Sequence, residues 1–474
     1  MAVMGNLLKD IRKGRENRSL YLRGILPYLF ALGCARAWVT LAVAAPALAL
    51  PAAFDLHDIF DYAFCLISIA VALAARRLLP LNATGWMRAA SAALMVAASL
   101  CLIAVGIGLV AGPAAIALVA AGAAAGGAGF GLFLLLWAEV LSCISLICIF
   151  LYTTASQLVA VVCVFFCDGL DDLRVACALV ILPPVALLCL RRAFSALPVA
   201  DRPSPVIPKF TYPWKIFVLL ALYSFAYGLR QHQLAAGAGM HSSVSTAIVM
   251  AVLFASAYFF SNRFNIGTLY RSPLVLIVCG FLLVPVEGVF GTAASSYLIS
   301  MSYSLVGIIV ALLLYDISKR LGVTVVIFAA IKGAEQVFVI WGKGVAEAMV
   351  AAGMNAGAQD AVIAVAVVAM MLAATLILLS EKELASRWGV RILDAGGLVE
   401  KTPEELRRDE RAAEHARLTP RETEILALVA QGKNGPAIMQ ELFIAEGTFK
   451  AHMSHIYEKC GVANRRELVA LLGA

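Results

Sequence analysis

Residues 418–472 read LTPRETEILALVAQGKNGPAIMQELFIAEGTFKAHMSHIYEKCGVANRRELVALL. Local signals at helix ends divide this stretch into short amphipathic helices. Thr419, Pro420 and Glu422 form a capping box with proline in the first helical position, and Gly432 is suited to end that helix. The first helix therefore begins next to Thr419 and carries its apolar residues on one face.

Three further helices follow from the same kind of signal. Asn434 can cap a second helix, and Asn464 with Glu467 can begin a fourth. Between them, the spacing of apolar residues predicts a third helix from Glu446 to Cys460 with one buried face. That face consists of Phe449, Met453, Ile456 and Cys460.

A helix, a short turn and a helix with one polar face are typical of a helix-turn-helix, whose second helix lies in the DNA major groove. Small residues on the polar face allow close approach to base edges, and lysine can reach a guanine edge or a phosphate. The polar face presents Gly447, Lys450, Ala451, Ser454 and Glu458, with His455 beside it. Flanking candidates for phosphate contacts are Thr448, His452, Lys459, Arg465 and Arg466.

An ordered series of residues runs through the stretch: Leu-Thr-Pro-Arg-Glu at 418–422, Leu-Phe-Ile at 442–444, Glu446, Thr448, Lys450, His452, Ile456, Tyr457, Lys459, Gly461, Val462, Asn464 and Arg465. This series closely resembles the LuxR-type (GerE-like) DNA-binding domain of bacterial transcription regulators. The resemblance implies a dimer that binds two half-sites of double-stranded promoter DNA and contacts RNA polymerase. The sequence departs from the family pattern at 433–438, at Ala445, which replaces a serine cap, and at Phe449.

The rest of the chain has the composition of an integral membrane protein. Of its 474 residues, 62% are hydrophobic and 14% are charged, whereas about a quarter are charged in ordinary soluble domains. Twelve apolar runs have the length of a membrane-spanning helix, the form that satisfies its own backbone hydrogen bonds in lipid. We therefore predict an all-α chain, with a polytopic bundle before the four-helix domain. The predicted spans are 24–50, 59–75, 89–110, 114–137, 142–166 and 173–190, then 214–233, 243–261, 273–291, 296–315, 323–346 and 361–380.

Lysine and arginine are concentrated in alternate loops, which predicts that those loops and both chain ends lie in the cytoplasm. The expected location is the bacterial cytoplasmic (inner) membrane, with many passes through the lipid bilayer. The sequence divides into a basic N-terminus (1–23), a membrane domain (24–380), a charged linker (381–417) and the DNA-binding domain (418–474). Within the linker, a capping box predicts a helix over 402–417.

Six plus six spans with a longer middle loop resemble the major facilitator architecture. A faint internal repeat agrees with that layout: Phe-Ala-Leu-Gly at 30–33 in span one and Phe-Ala-Tyr-Gly at 225–228 in span seven. The charged loop that this family has between spans two and three is not evident at 76–85. The resemblance implies a transporter-like fold.

Charged residues inside the spans are candidates for a ligand site, because a charge in the bilayer is costly unless it is paired or hydrated. Arg36, in the middle of span one, can bind an anionic or polar small molecule or join an interhelical ion pair. Lys332 and Glu335, one turn apart, can pair with each other. Near span ends, long side chains can reach the interface; this group contains Arg230, Glu287 and Lys343. The candidate ligand contacts are Arg36, Lys332 and Glu335 together with Arg230 and Glu287.

No part of the sequence predicts catalysis or a metal site. The glycine-rich run 122–131 lacks the Lys-Ser/Thr of a phosphate loop, so it predicts a surface for close helix packing. The 11 cysteines form no paired CxxC motif, and no nucleophile–base arrangement is evident. We therefore expect no enzyme, no metal and no cofactor.

Together these features predict a one-component regulator, whose membrane helices sense a small molecule and whose C-terminal domain binds DNA. One alternative is a major-facilitator-like transporter with a regulatory DNA-binding tail. Another is an ordinary four-helix bundle that engages protein, because acidic and basic residues nearly cancel in 418–472 and leave no strongly basic surface.

Overall fold

A computed structural model divides the chain into two compact units, Met1–Leu398 and Val399–Ala474. All regular structure in the described part is helical, which confirms the all-α prediction. The N-terminus 1–23, the linker 381–417 with its predicted helix, and Glu287 lie outside the described residues. The structure describes residues 25–44, 48, 50, 56–167, 170–197, 202, 212–234, 243–259, 269–286, 292–321, 324–378, 418–460, 462 and 464–472.

The helices of the first unit coincide with the predicted spans, and the eleventh span is divided between two helices. Their bounds are α1 Ile25–Val39, α2 Leu56–Leu78, α3 Gly85–Gly106, α4 Pro113–Leu141, α5 Leu146–Cys167, α6 Asp172–Ala196, α7 Trp214–Leu234, α8 Ser243–Phe259, α9 Ser272–Leu283, α10 Thr292–Leu321, α11 Val325–Gly333, α12 Gln336–Ala351 and α13 Ala356–Leu378. We call α1–α6 the first half of this unit and α7–α13 its second half.

Eight segments of the described chain are long and apolar enough to cross a membrane, judged by length and composition. They are α2 to α6, α10, α11 taken together with α12, and α13. The shorter apolar helices include α1, which a π-helical turn extends over Thr40–Ala44, and α9, which a 3₁₀ turn extends over Val284–Val286. The described part of the first unit therefore contains eight candidate membrane-spanning segments.

The glycine-rich run in α4 is a surface for close packing, as predicted. A Cβ atom on Gly127 would lie 2.1 Å from the carbonyl oxygen of Phe60 in α2. One on Gly126 would lie 2.9 Å from the ring of Trp38 in α1. Residues without side chains are required where helices approach this closely. The run therefore fixes the distance between α4 and its neighbours in the first half.

A second close approach joins α7 and α12. A Cβ on Gly228 would lie 2.0 Å from the Val339 carbonyl oxygen, and one on Gly342 would lie 2.3 Å from the Phe225 carbonyl oxygen. Gly344, two residues further along α12, has nothing within 4 Å of its Cβ position. The two helices therefore meet backbone to backbone at Gly228 and Gly342.

Two residues separate α11 from α12, although the sequence predicted one continuous span. The Ala334 amide donates to the Ala330 and Ile331 carbonyls, at 3.1 Å each, and the Glu335 amide donates to the Lys332 carbonyl at 3.2 Å. Bonds to the third preceding residue tighten the backbone here. On either side of this break, α11 packs on α2 and α4 of the first half, whereas α12 packs mainly on α7.

The second unit contains the four predicted helices. They are α14 Pro420–Ala430, α15 Gly435–Leu442, α16 Glu446–Cys460 and α17 Arg465–Leu472. The bounds of α16 are those that the sequence predicted. Every helix contributes to one small core, whose most deeply buried residues are Ile425, Val429, Ile438, Ile456 and Leu468.

Candidate DNA interface and polar sites of the membrane helices

Side-chain caps fix the ends of the short helices as predicted. Thr419 Oγ1 accepts from the Glu422 amide, and the Glu422 carboxylate accepts from the Thr419 amide at 2.7 Å, which completes the capping box. The side-chain oxygens of Asn434 and Asn464 accept backbone amides at the starts of α15 and α17, each at 3.0 Å. These local bonds fix the starts of α14, α15 and α17.

A phenylalanine in the left-handed conformation forms the turn between α15 and α16. Phe443 has φ 51° and ψ 45°, values that are uncommon for residues other than glycine. The Ile444 amide donates to the Met439 carbonyl at 3.1 Å, and Arg421 Nη2 donates to the Leu442 carbonyl at 2.7 Å. The sequence predicted a tight connection here but not its conformation.

The polar face of α16 lies in solvent, while its apolar face lies in the core. Met453 and Ile456 are buried and Phe449 is half-buried, so the helix is oriented as its spacing predicted. A Cβ on Gly447 would meet nothing within 4 Å, which leaves open space beside the helix. The exposed residues of the predicted interface are Gly447, Thr448, Lys450, Ala451, Ser454, His455, Glu458 and Lys459, and His452 is half-buried.

Two predicted DNA-contacting cations are bonded to other parts of their own unit. Lys450 Nζ lies 2.7 Å from Glu446 Oε1, with both side chains mostly in solvent. Arg465 donates to the Lys433 carbonyl, which joins the start of α17 to the loop before α15. The side chain of Arg466 lies outside the described part of the chain. Of these cations, Lys450 therefore lies on the open face of α16.

Glu422 of α14 lies close to two basic residues of α16 in the second unit. Its side chain is 3% exposed, Oε2 lies 2.7 Å from Lys459 Nζ, and Oε1 lies 3.9 Å from His455 Nδ1. Burial would raise the pKa of this carboxyl, but hydrogen bonds from Lys459 and Thr419 outweigh burial and lower the pKa from 4.5 to about 2. Lys459 therefore has a structural role besides the predicted phosphate contact.

Among the charges inside the spans, Lys332 and Glu335 pair as predicted. Lys332 Nζ lies 3.1 Å from Glu335 Oε1, and Glu335 Oε2 has no hydrogen-bond partner among the described residues. In α1, Arg36 faces the amide of Gln157, whose oxygen, when turned toward it, accepts from Nε at 3.0 Å. No carboxylate in the described part of the chain forms an ion pair with Arg36. The hydrogen-bond partner of its guanidinium is therefore a neutral amide.

Tyr303 of α10 lies between these two sites. It interacts electrostatically with both Arg36 and Glu335. Its hydroxyl accepts from Gln336 Nε2 at 3.4 Å, and its ring stacks on that of Tyr227 with centroids 4.2 Å apart. Tyr303 therefore connects α10 with α7 and α12, and it is near both Arg36 and Glu335.

Arg230 and Lys343 do not simply extend to an interface. Arg230 is 2% exposed and its Nη2 donates to Ser295 Oγ at 3.2 Å. Lys343 Nζ forms an ion pair with Asp58 Oδ1 at 2.8 Å, which joins α12 to α2. Long basic side chains inside a helical bundle find partners in neighbouring helices when these are within reach.

Glu139, at the end of α4, is a structural residue that was not predicted from the sequence. Its buried carboxylate accepts from the backbone amides of Leu81 and Asn82 at 2.7 Å each, and from Asn82 Nδ2 at 2.9 Å. Arg88 in turn donates to the Asn82 carbonyl. Three donors to one carboxylate hold the short connection between α2 and α3 in place. A signal existed, since Glu139 is the acidic residue of an otherwise apolar run.

Comparison with known proteins places the second unit in a family. Residues 416–472 match the family described as "Bacterial regulatory proteins, luxR family". Over 52 residues the chain is 52% identical to the transcriptional regulatory protein DesR of Bacillus subtilis, covering 11% of this chain and 26% of DesR. It is 45% identical over 58 residues to LiaR of the same organism, covering 12% of this chain and 28% of LiaR.

A similar match is found with the probable transcriptional regulatory protein NarL of Mycobacterium tuberculosis, at 45% identity over 53 residues, which are 11% of this chain and 24% of NarL. The chain thus spans about a quarter of the length of the curated relatives it matches. Among solved structures, the major facilitator proton:xylose symporter XylE gives a TM-score of 0.47 at 12% identity, over 78% of this chain and 99% of that chain.

The second unit is a helix-turn-helix domain of the LuxR type. Its class follows from the capped helices, the exposed face of α16 and the match over residues 416–472. In this protein, the domain is joined in one chain to membrane-spanning helices.

Proposed function

We propose that this protein is a one-component transcription regulator of the cytoplasmic membrane, which binds promoter DNA through α16. The observation that carries the proposal is the open face of α16, where Lys450 is exposed beside Gly447 and Ala451. A lysine next to small residues can enter the major groove and donate to base edges. The regulatory relatives of this domain support the same role.

The membrane helices supply the sensor in this proposal. Arg36 has no carboxylate partner in the described residues, and a guanidinium at this depth is retained at a cost. A small molecule with an anionic or strongly polar group would complete its hydrogen bonds, with Tyr303 close by. We assign ligand binding to this region, and regulation to a change in how the domains reach DNA.

The remaining features of the proposal come from the orientation of the chain and from its family. Both termini face the cytoplasm, the DNA-binding domains act as a dimer on two half-sites, and RNA polymerase is the partner on the promoter. The protein has no enzymatic activity in this proposal, because sensing and DNA binding require none.

DNA binding is tested with the full-length protein in lipid nanodiscs, mixed with a pool of randomised duplex DNA at several salt concentrations. We expect enrichment of a two-fold symmetric motif and an affinity that falls steeply as salt rises. Retention of no DNA at low salt would contradict the proposal. It would favour the alternative in which the four-helix unit engages protein.

Ligand binding is tested by the thermal stability of the purified protein in the presence of small carboxylates, with neutral sugars of similar size as controls. A carboxylate that stabilises the wild type should not stabilise Arg36→Ala. Arg174→Ala is the matched control, because Arg174 is exposed and forms an ion pair with nearby Asp171 at the protein surface. Ligand uptake into proteoliposomes would instead favour a transporter with a regulatory tail.

A further inference from the structure

Helix α16 begins with an exposed acidic residue that lies on the same side of the helix as Lys450. Glu446 is the first residue of α16, and its Oε1 lies 2.7 Å from Lys450 Nζ one turn later. The side chains of Glu446 and Lys450 are 67% and 73% exposed. Between them, Gly447 leaves open space, so nothing in the described part of the domain shields either group from a ligand.

The position of Glu446 gives it access to the same surface of DNA as Lys450. Residues at the N-terminal end of a recognition helix contact base edges in the major groove. Glu446 and Lys450 are separated by about one helical turn of ~5.4 Å, and successive base pairs are separated by ~3.4 Å. The two side chains therefore reach adjacent base pairs when α16 lies in the groove.

The chemistry of the pair is selective. A carboxylate only accepts hydrogen bonds, and in the major groove it accepts from the N4 amino group of cytosine, whereas lysine donates to O6 and N7 of guanine. Opposite guanine or thymine, or near a phosphate, the carboxylate faces acceptors and is repelled, and adenine presents the N7 acceptor beside its amino donor. In free protein, the same carboxylate neutralises Lys450, which would otherwise bind phosphates of any sequence.

We propose that Glu446 is a specificity-determining residue of the DNA interface, which accepts from a cytosine while Lys450 donates to the guanine of a neighbouring base pair. This inference rests on the proposed binding of DNA by α16. It assigns to Glu446 a contact with the base, besides the favourable charge that any acidic residue has at a helix N-terminus.

The test is selection of binding sites from randomised duplex DNA by full-length protein in nanodiscs. The wild type should enrich a motif with an invariant cytosine next to a guanine. Glu446→Gln should lose the cytosine preference and gain adenine at that position, because glutamine pairs with N6 and N7 of adenine. Its discrimination between the motif and unrelated duplex should fall about tenfold. Glu424→Gln removes the same charge from α14, outside the predicted interface, where the Glu424 side chain is 39% exposed, and should enrich the wild-type motif.

A shorter acidic residue at position 446 distinguishes a contact with the base from a contribution to the stability of α16. Glu446→Asp keeps the negative charge at the helix N-terminus but cannot reach the groove, so it should also lose the cytosine preference. Hydrogen exchange of the α16 amides shows whether each variant is folded. If Glu446→Asp and Glu446→Gln enrich the wild-type motif with unchanged discrimination, Glu446 only supports the helix and the inference is wrong. If the wild type itself enriches no motif, the proposed DNA binding fails instead.

Discussion

Lys459 Nζ lies 2.7 Å from Glu422 Oε2, so the C-terminal end of α16 is bonded to the first turn of α14. Glu422 belongs at the same time to the capping box of α14. One carboxylate thus sets both the start of the first helix of the domain and the position of the helix that carries the DNA-facing residues. The orientation of α16 depends on this bond as well as on its apolar face.

Replacing Lys459 with alanine should loosen the domain rather than remove a DNA contact alone. Glu422 would keep its burial but lose a charged partner, which should lower the free energy of opening of α14 and α16 by roughly 1–2 kcal/mol. Hydrogen exchange of these helices in the full-length protein measures that opening. If their exchange is unchanged while the salt dependence of DNA binding drops, Lys459 acts only on phosphate.

The domain should lose stability in acid because of Glu422. Its pKa is lowered to about 2 in the folded state from 4.5, so its contribution is fully present above pH 4.5 and is lost as pH falls toward 2. Hydrogen exchange or thermal unfolding of the domain across that window measures the loss. Glu422→Gln should be less stable at neutral pH and should show a flatter dependence on pH, and an equally steep dependence would contradict this assignment.

Replacing Lys450 with alanine should weaken DNA binding without unfolding the domain. Its side chain is 73% exposed, so the change removes no core contact. A base contact is worth a factor of about ten to a hundred in affinity for the selected motif, with little effect on unrelated duplex. A phosphate contact would instead lower affinity for all duplexes and reduce the salt slope by about one. Unchanged affinity for every duplex would show that α16 does not enter the groove.

Glycine at position 342 should be required for folding of the membrane helices, while glycine at 344 should not. A Cβ at Gly342 would lie 2.3 Å from a backbone oxygen of α7, whereas one at Gly344 meets nothing within 4 Å. Gly342→Ala should therefore lower the yield and melting temperature of monodisperse protein. Gly344→Ala is the matched control and should be neutral or slightly stabilising, because alanine favours helix. Equal behaviour of the two variants would contradict the close contact.

The orientation predicted from lysine and arginine can be measured with reporter fusions. A reporter that is active only in the cytoplasm should be active after residue 380 and silent within 167–172. The reason is that an even number of spans returns the chain to the side on which it began. An inactive fusion at 380 would place the DNA-binding domain outside the cytoplasm and would exclude the proposed function.

Features set by neighbouring residues could be predicted from the sequence. The Thr419 capping box, the Asn434 cap and the bounds of α16 were predicted correctly, because caps and apolar spacing act within one or two turns. The Lys332–Glu335 pair could also be predicted, because the two residues are one helical turn apart. Polarity also sufficed to predict which residues of α16 are exposed.

Features that join distant parts of the chain could not be predicted in this way. The bonds of Lys459 to Glu422, of Lys343 to Asp58 and of Glu139 to the α2–α3 connection depend on how helices pack. A residue's type shows that it needs a partner, but only packing decides which one is near. For the same reason, tertiary context and not local preference places Phe443 in a left-handed turn.

The break at Ala334 and Glu335 gives the two parts of the eleventh span different neighbours. Its cytoplasm-proximal part in the predicted orientation, α11, packs on α2 and α4 of the first half, and its outer part, α12, packs mainly on α7 and is joined to α2 by Lys343 and Asp58. If the halves move relative to each other, we expect the chain to bend at these two residues and the length of the Lys332–Glu335 ion pair to change.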